Sequence, residues 1–310
     1  MRTAVLIPCW NEATTIGKVV ADFTALDSSA TVYVYDNNSS DGSGDLAARA
    51  GAVVVREYRQ GKGFVVRSMF RDIDADCYIL VDGDDTYAAE DAMAMRESVL
   101  EGRADMVIGD RLSGSYFAEN RRRFHGFGNR LVRFLVNTIF RSSVSDIMTG
   151  CRCMSRRFVK SMPVTSGGFE IETEMTIHAL DKDFLVLEMP VAYRDRAEGS
   201  ESKLDTLGDG ARVLRTILVL FRDYRPLPFF GLLSLALLIS ALVLFWGPLD
   251  EYLLTGYVYK VPSLVVAIAL GISALLSLMS GVILDSLRLR SRQFYELTLT
   301  LLEGQTRGRD

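Results

Sequence analysis

Histidine is almost missing from this chain: His125 and His178 are the only two among 310 residues. Neither a His-based metal cluster nor a nucleophilic triad can be assembled from them, and both are expected to be structural. Cysteine is nearly as sparse. Cys9, Cys77, Cys151 and Cys153 lie in or beside apolar runs without the paired spacing of a zinc site. They read as buried, reduced thiols of a cytosolic domain. A basic excess is also lacking, since 35 Lys and Arg against 39 Asp and Glu leave a net charge of −4 and a pI near 5.4. That balance argues against a nucleic-acid partner. The opening residues, Met1 to Pro8, are broken by Pro8 and Asn11-Glu12 too early for a signal peptide, so the leading domain is expected in the cytosol.

What is present is a full apolar complement, 49% of residues, in a chain long enough for one large domain plus an appendage. Short β-rich runs alternate with helical periodicity through the first part of the sequence. Strands are expected at Ala4 to Ile7, Thr31 to Tyr35, Ala52 to Arg56 and Tyr78 to Val81, with helices near Thr14 to Leu26, Gly42 to Ala50 and Lys62 to Ile73. That order implies an α/β fold, a parallel sheet with helices on both faces and a ligand crevice beyond the carboxyl ends of its strands. Asn11, Glu12, Asp36 and Asp82 all fall at such ends.

Two uncharged apolar stretches follow, Phe229 to Trp246 and Val261 to Leu284, each near the length that crosses a bilayer of roughly 30 Å. A buried core hairpin is the alternative, and helices this long without a charge are rare in soluble cores. Arg212, Arg215, Arg222 and Arg225 precede the pair, Arg288, Arg290 and Arg292 follow it, and the connection holds Lys260 against Asp250 and Glu251. The positive-inside bias puts both ends in the cytoplasm, with Trp246, Tyr252, Tyr257 and Tyr259 as an outer aromatic belt. Val213 to Phe221 and the stretch from Arg121 through Phe140 are basic and amphipathic. They suit an anionic membrane surface, or else are solvated charge over ordinary core helices.

The apolar run Cys77 to Val81 ends in Asp82-Gly83-Asp84-Asp85. Two carboxylates one residue apart at a strand end can hold Mg²⁺ or Mn²⁺ against phosphates, although acidic doublets there also cap helices. Asp85 is a group behind the metal ligands or the cap of the helix starting near Ala88. Pro8-Cys9-Trp10-Asn11-Glu12 and the turn Asp36 to Gly42 stand at neighbouring strand ends. Asp36 can accept from a base N–H, while Asn11 and Glu12 can meet base or ribose. Asp41 reads instead as an Asx turn and helix cap. Gly61-Lys62-Gly63 lacks the glycine and hydroxyl spacing of a phosphate-binding P-loop and reads as a loop near the nucleotide.

These three motifs, in this order, resemble a family-2 glycosyltransferase of the GT-A fold. The resemblance extends to the branch of dolichol-phosphate mannose synthase and bacterial polyprenyl-phosphate glycosyltransferases. It spans residues 3 to 205 and adds Gly109-Asp110-Arg111, Gly128 to Leu131, Asp146 to Arg152, Gly168 to Glu174 and Gly199 to Lys203. It departs from the family at Trp10, where tyrosine is frequent, and after the metal pair, where glutamine is frequent. The resemblance implies a GT-A-type, Rossmann-like catalytic domain (1–205), an amphipathic juxtamembrane region (206–228), a two-helix transmembrane hairpin (229–285) and a cytoplasmic tail (286–310). It also implies that Pro8, Asn11, Glu12, Asp36 and Asp82 meet a uridine or guanosine diphosphate sugar, with the cation on Asp82 and Asp84. Arg111, Arg130, Arg196 and Lys203 would face the donor diphosphate or the acceptor phosphate, or else form surface salt bridges.

On this reading the enzyme moves a hexose, with inversion, from a nucleotide sugar to a polyprenyl phosphate at the cytoplasmic membrane, as a multi-pass protein that can also form homo-oligomers. Asp146 is the first candidate for an acceptor-side carboxylate and Glu172 the second, unless Glu170, Glu172 and Glu174 are a solvated or capping acidic run. A polysaccharide synthase is the competing enzyme, but its Gln-x-x-Arg-Trp motif is absent, because Trp10 and Trp246 are the only tryptophans. A non-catalytic membrane scaffold is disfavoured by intact Asp36, Asp82, Asp84 and Lys203. Asp84→Ala is expected to abolish transfer while leaving membrane insertion intact, and normal turnover of that variant in isolated membranes would remove the metal assignment.

Overall fold

The computed structural model describes residues 1–113, 125–194, 218–219 and 221–307. Backbone contacts divide the chain into two units, residues 1–213 with 299–310, and residues 214–298. The first unit is built on β1 (Thr3–Cys9), α1 (Ile16–Leu26), β2 (Thr31–Asp36), α2 (Ser43–Arg49), β3 (Val53–Arg56), α3 (Lys62–Asp72), β4 (Cys77–Leu80), α4 (Ala89–Leu100) and β5 (Met106–Asp110). There follow α5 (His125–Phe140), β6 (Arg152–Ser155), α6 (Arg156–Ser161), α7 (Ile171–Asp181) and β7 (Val186–Pro190).

Among the described residues the strands form one seven-stranded sheet in the order β3-β2-β1-β4-β6-β5-β7. The chain runs outward from β1 to β2 and β3, then returns to place β4 on the other side of β1. The β1/β4 boundary is therefore a topological switch point, where crossovers diverge and leave a crevice at the strand ends. The sheet is not wholly parallel: β6 runs antiparallel to both β4 and β5. The short run Arg152-Cys153-Met154-Ser155 carries no strand signal beyond its neighbours, and it enters from a loop already at the carboxyl edge.

Alternation along the strands sorts the core into two layers. Val5, Ile7 and Cys9 of β1 and Ile79 of β4 pack with Ile16, Val19, Val20 and Phe23, which lie on one stripe of α1, and with Ala92 and Met95 of α4. The intervening strand residues, including Leu6, Tyr78, Leu80, Met106 and Met154, are also fully buried. All four β4 residues are buried, which explains its unbroken apolar run. The four cysteines are free and buried, as the sequence implies, and burial pushes the Cys9 and Cys151 thiols up to about 12.

The second unit comprises α8 (Pro226–Thr255) and α9 (Val261–Arg307) as far as residue 298, and Gly256, at a φ of 75°, ends α8 in the left-handed region. The two helices pair antiparallel. Ser234 Oγ donates to the Ala274 carbonyl at 2.7 Å, Ser277 Oγ to the Phe230 carbonyl at 3.0 Å and Ser263 Oγ to the Leu244 carbonyl at 3.1 Å. A Cβ on Gly281 would lie 2.9 Å from Phe230 Cβ, so the Ser277/Gly281 pair brings the helices together within the hairpin. Both helices are long and apolar enough to cross a membrane, with peak mean hydropathy of 2.5 and 2.3. Their apolar side chains face outward: Val243 is 70% exposed and Leu276 59%. Exposed apolar surface on this scale marks a membrane or partner contact rather than a water-facing surface. α9 continues as one helix through residues expected to form a separate tail.

α5 buries Val132 and Val136 and leaves Phe134 65% exposed. Arg121 to Phe124 lie outside the described residues, as does most of Val213 to Phe221.

His178 sits in α7, 5% exposed, with the Phe158 ring 5.9 Å and the Phe184 ring 6.1 Å away. Burial, helped by nearby Lys182, lowers its pKa from 6.5 to about 4. The folded protein thus binds this proton less readily than the unfolded chain. The associated stability is complete above pH 6.5 and is lost as pH falls towards 4, by roughly 3 kcal/mol in total. His178→Leu is expected to flatten the dependence of the urea midpoint on pH across that window relative to the parent protein.

Candidate active site

Loops leaving β1, β2, β3 and β4 interlock at the switch point. Asn11, at φ 51°, donates its amide to Ser39 Oγ at 2.9 Å and accepts the Ser40 amide on Oδ1 at 2.9 Å. The Glu12 amide donates to Ser43 Oγ at 2.8 Å. Asp36 Oδ1 accepts the Ser39 amide at 2.9 Å, so Asn11 and Asp36 share one turn. Asp41 makes the expected Asx turn by accepting from the Ser43 amide, but Gly42, not Asp41, occupies the helix cap. Its other oxygen accepts the Ala13 amide at 3.0 Å and ties the first two loops together. Thr15 Oγ1 donates to the Gly83 carbonyl at 2.7 Å and joins the first loop to the acidic one. Asn37, 3% exposed, bonds the Glu57 and Arg59 carbonyls and the Gly61 amide. The Arg59 guanidinium in turn pulls the Glu57 carboxyl down to about 2.

At the centre lies Lys62, the first residue of α3. Its Nζ donates to Asp82 Oδ1 at 2.5 Å and to Glu172 Oε1 at 2.6 Å, and its side chain is 7% exposed. Burial alone would lower the ammonium pKa, but the Asp82 and Glu172 carboxylates outweigh it, and the value lies above the usual lysine range. The flanking glycines are needed. A Cβ on Gly63 would stand 2.1 Å from the Ser166 carbonyl oxygen, and one on Gly61, at φ 135°, 2.2 Å from that of Gly167. On the far side of Asp82, a Cβ on Gly150 would lie 2.0 Å from Asp82 Oδ2. Asp84 is 4% exposed, and its Oδ1 accepts the Thr86 hydroxyl at 2.6 Å.

Of the acidic run, Glu170 stands half-buried at the N-cap of α7, while Glu172 and Glu174 are buried rather than solvated. Glu174 accepts the Thr165 and Ser166 amides, each at 2.9 Å, and holds the loop against which Lys62 packs. Asp85 is not a helix cap either. At φ 58° it accepts Lys18 Nζ at 2.7 Å, while Ala88 stands at the start of α4.

Asp146 is fully buried, and its two oxygens accept the Arg111 fork at 2.7 and 3.0 Å. Both oxygens of this candidate acceptor-side carboxylate are thus engaged by Arg111. Arg111 also donates to the Met148 carbonyl at 2.8 Å and lies 5.4 Å from the centroid of the Tyr193 ring. Beneath both acids runs Arg152, fully buried, which donates to the Ile147 carbonyl at 2.7 Å and the Glu172 carbonyl at 2.9 Å. Burial pushes its guanidinium down to about 10. Pro8 lies in β1, half-buried. Arg130 falls within α5 without a described side chain, and Arg196 and Lys203 lie outside the described residues.

Sequence reading put Gly61-Lys62-Gly63 in a loop near the nucleotide without giving Lys62 a role, whereas Lys62 opens α3, and it gave no role to Tyr87 or Arg152. Tyr87, whose hydroxyl accepts the Gly150 amide at 3.1 Å, braces the wall beside Asp82. For Lys62 the usable signal was its two glycines, since a charged residue between close-approach glycines is pinned by backbone contact.

Residues 4–162 match the family described as glycosyl transferase family 2. The chain belongs to that family and is a glycosyltransferase. Glycosyltransferase AglJ of Haloferax volcanii is 36% identical over 237 residues, covering 75% of this chain and 76% of that one. The dolichyl-phosphate hexose transferase of the same organism is 28% identical over 214 residues, covering 69% and 91%. Glucosyl-3-phosphoglycerate synthase from Mycobacterium tuberculosis, solved with Mn²⁺, UDP and glucosyl-3-phosphoglycerate, shares the fold at a TM-score of 0.58. It is 22% identical, covers 70% of this chain and 78% of its own, and establishes the GT-A-type architecture alone.

The residues at the end of β4 fit a divalent metal. Asp82 and Asp84 supply hard oxygen atoms, and the burial of an ammonium between Asp82 and Glu172 shows that this corner calls for positive charge. Among the described residues no third His, Cys or acidic group joins them, so diphosphate and water oxygens would complete the shell.

The two glycines separate folding from function. Gly63→Ala drives a methyl into a backbone oxygen and is expected to cost about 1–3 kcal/mol in denaturant titration. Gly150→Ala drives a methyl into the Asp82 carboxylate instead, so it should disturb the Lys62 pair and reduce transfer about 100-fold by displacing Asp82, with a smaller shift of the unfolding midpoint than Gly63→Ala.

Proposed function

We propose that this glycosyltransferase moves a hexose from a UDP- or GDP-sugar to a polyprenyl phosphate, undecaprenyl or dolichyl, at the cytoplasmic face of a membrane, with inversion. One observation carries the acceptor class: both candidate base carboxylates are committed to cations, Asp146 to Arg111 and Glu172 to Lys62. A sugar hydroxyl needs a base to take its proton. A phosphate monoester does not, because its second pKa near 6 leaves it largely dianionic at pH 7. The outward apolar faces of α8 and α9 and the name of the Haloferax dolichyl-phosphate relative support the same class.

On this reading Asn11, Glu12 and Asp36, with Pro8 beneath them, hold base and ribose, and Asp82 and Asp84 take Mg²⁺ or Mn²⁺. The cation would supply Lewis-acid charge to the departing diphosphate. Arg111, kept rigid by Asp146 and the Met148 carbonyl, meets a phosphate oxygen with a planar fork, and Arg130, Arg196 and Lys203 add positive charge from the chain beyond it. Asp146 and Glu172 then act as positioning groups rather than as proton acceptors. The acceptor oxygen attacks the anomeric carbon opposite the departing diphosphate.

Residues 1–205 form the catalytic domain on this proposal, 206–228 lie along the membrane, 229–285 cross it twice, and 286–310 return to the cytoplasm. Arg288, Arg290 and Arg292 favour the cytoplasmic side for the end of the hairpin, and exposed Tyr252, Tyr257 and Tyr259 suit the opposite interface.

Membranes containing the protein should convert labelled UDP- or GDP-hexose, polyprenyl phosphate and Mg²⁺ or Mn²⁺ into an acid-labile product that extracts into organic solvent. Label appearing only in polymer would favour the second reading, a membrane-bound family-2 enzyme extending a glycan. A panel of donor sugars in the same assay identifies the hexose.

A further inference from the structure

We propose that Lys62 opposes divalent-cation binding at Asp82 until a diphosphate arrives, so that metal and nucleotide enter this site as a coupled pair. The inference rests on the reading of Asp82 and Asp84 as cation ligands. Lys62 Nζ lies 2.5 Å from Asp82 Oδ1 and 2.6 Å from Glu172 Oε1, the distances of direct charge-assisted hydrogen bonds. The ammonium thus fills a position that a cation coordinated by Asp82 would contest.

Neither partner has an easy retreat. The backbone of Lys62 is pinned where Gly61 and Gly63 approach the Ser166 and Gly167 carbonyls, and the Gly63 amide donates to the Gly167 carbonyl at 3.1 Å. Its Nζ also lies 5.8 Å from the centroid of the Phe169 ring. Asp82 is confined on its other side by the Gly150 backbone. A divalent ion at Asp82 must break the Lys62 bond or sit close to the ammonium, whose side chain is only 7% exposed, and at such range like charges repel. A diphosphate brings several negative charges to the same point and removes the conflict. Glu172 keeps one carboxylate on Lys62 after Asp82 is surrendered, so the lysine stays in the site. Because coupling between two ligands is reciprocal, the cation must raise affinity for the diphosphate by the same factor.

The test measures Mn²⁺ binding to the detergent-solubilised full chain by the paramagnetic resonance of free Mn²⁺, first alone and then with UDP or GDP. The parent protein should bind Mn²⁺ weakly alone and more tightly with one of the nucleotides, by a factor in the usual range of roughly 5–150. Lys62→Gln, which keeps hydrogen-bond donors, and Lys62→Met should bind Mn²⁺ alone about tenfold more tightly than the parent and lose most of the nucleotide dependence. Lys62→Arg, retaining the charge, should resemble the parent. Unchanged or weaker Mn²⁺ binding in both uncharged variants, with binding impaired in Asp84→Asn, would overturn the role of Lys62 alone. Equal binding by Asp84→Asn and the parent would instead overturn the ligand assignment and this inference with it.

Discussion

A single ammonium group, buried between carboxylates that approach from opposite sides, organises the catalytic corner of this protein. Lys62 joins Asp82, at the end of a central strand, to Glu172, at the start of α7. Such pairs add little to net stability, because desolvating three charged groups offsets much of their attraction. Their value is in specification. Removing Lys62 leaves the buried Glu172 carboxylate without its cation, so the loops that carry the set are held to one arrangement. The surrounding structure is arranged to meet that demand: glycines bring Lys62 against the 166–167 backbone, Glu174 fixes that backbone through its amides, and Arg152 holds the Glu172 carbonyl from below.

The same logic recurs around Arg111. Its fork is held by a carboxylate with no exposed surface and by a backbone carbonyl, so a side chain with many rotamers presents one orientation. Two cation–carboxylate sets therefore stand at one sheet edge, and in each the acid serves to aim the base. This inverts the usual expectation for acids near a transfer site, where a carboxylate is read first as a proton acceptor. The phosphate acceptor we propose would make that role unnecessary and fixed positive charge valuable. The apolar hairpin is a separate construction. Serine hydroxyls bond to carbonyls across its helices and Gly281 admits Phe230, so helix pairing there depends on close backbone approach rather than on burying apolar surface.

Much of the fold was legible in the residues alone. The β1, β2 and β4 runs, the helices between them and both apolar helices follow from periodicity and length, which are local properties. β6 was not, because a four-residue strand buried on both sides has no alternation of its own to report. Its antiparallel direction was set by the loop that delivers it. Within the site, the motifs at strand ends located Asn11, Glu12, Asp36 and Asp82 at one edge, since every parallel strand ends there. The partners of Asp85, Asp146 and Glu172 were not legible, because composition reports that an acid is present and not what stands opposite it.

The sequence by itself determined the family, the alternating α/β order, the acidic pair after a buried strand and the two membrane-length helices. Each of these is written in neighbouring residues. Tertiary structure alone decided that Lys62 faces Glu172, 110 positions away, that Asp146 is consumed by Arg111, and that Asp85 turns to Lys18. Charges choose partners through space, and the low-dielectric interior that gives each choice its force exists only once the chain has folded.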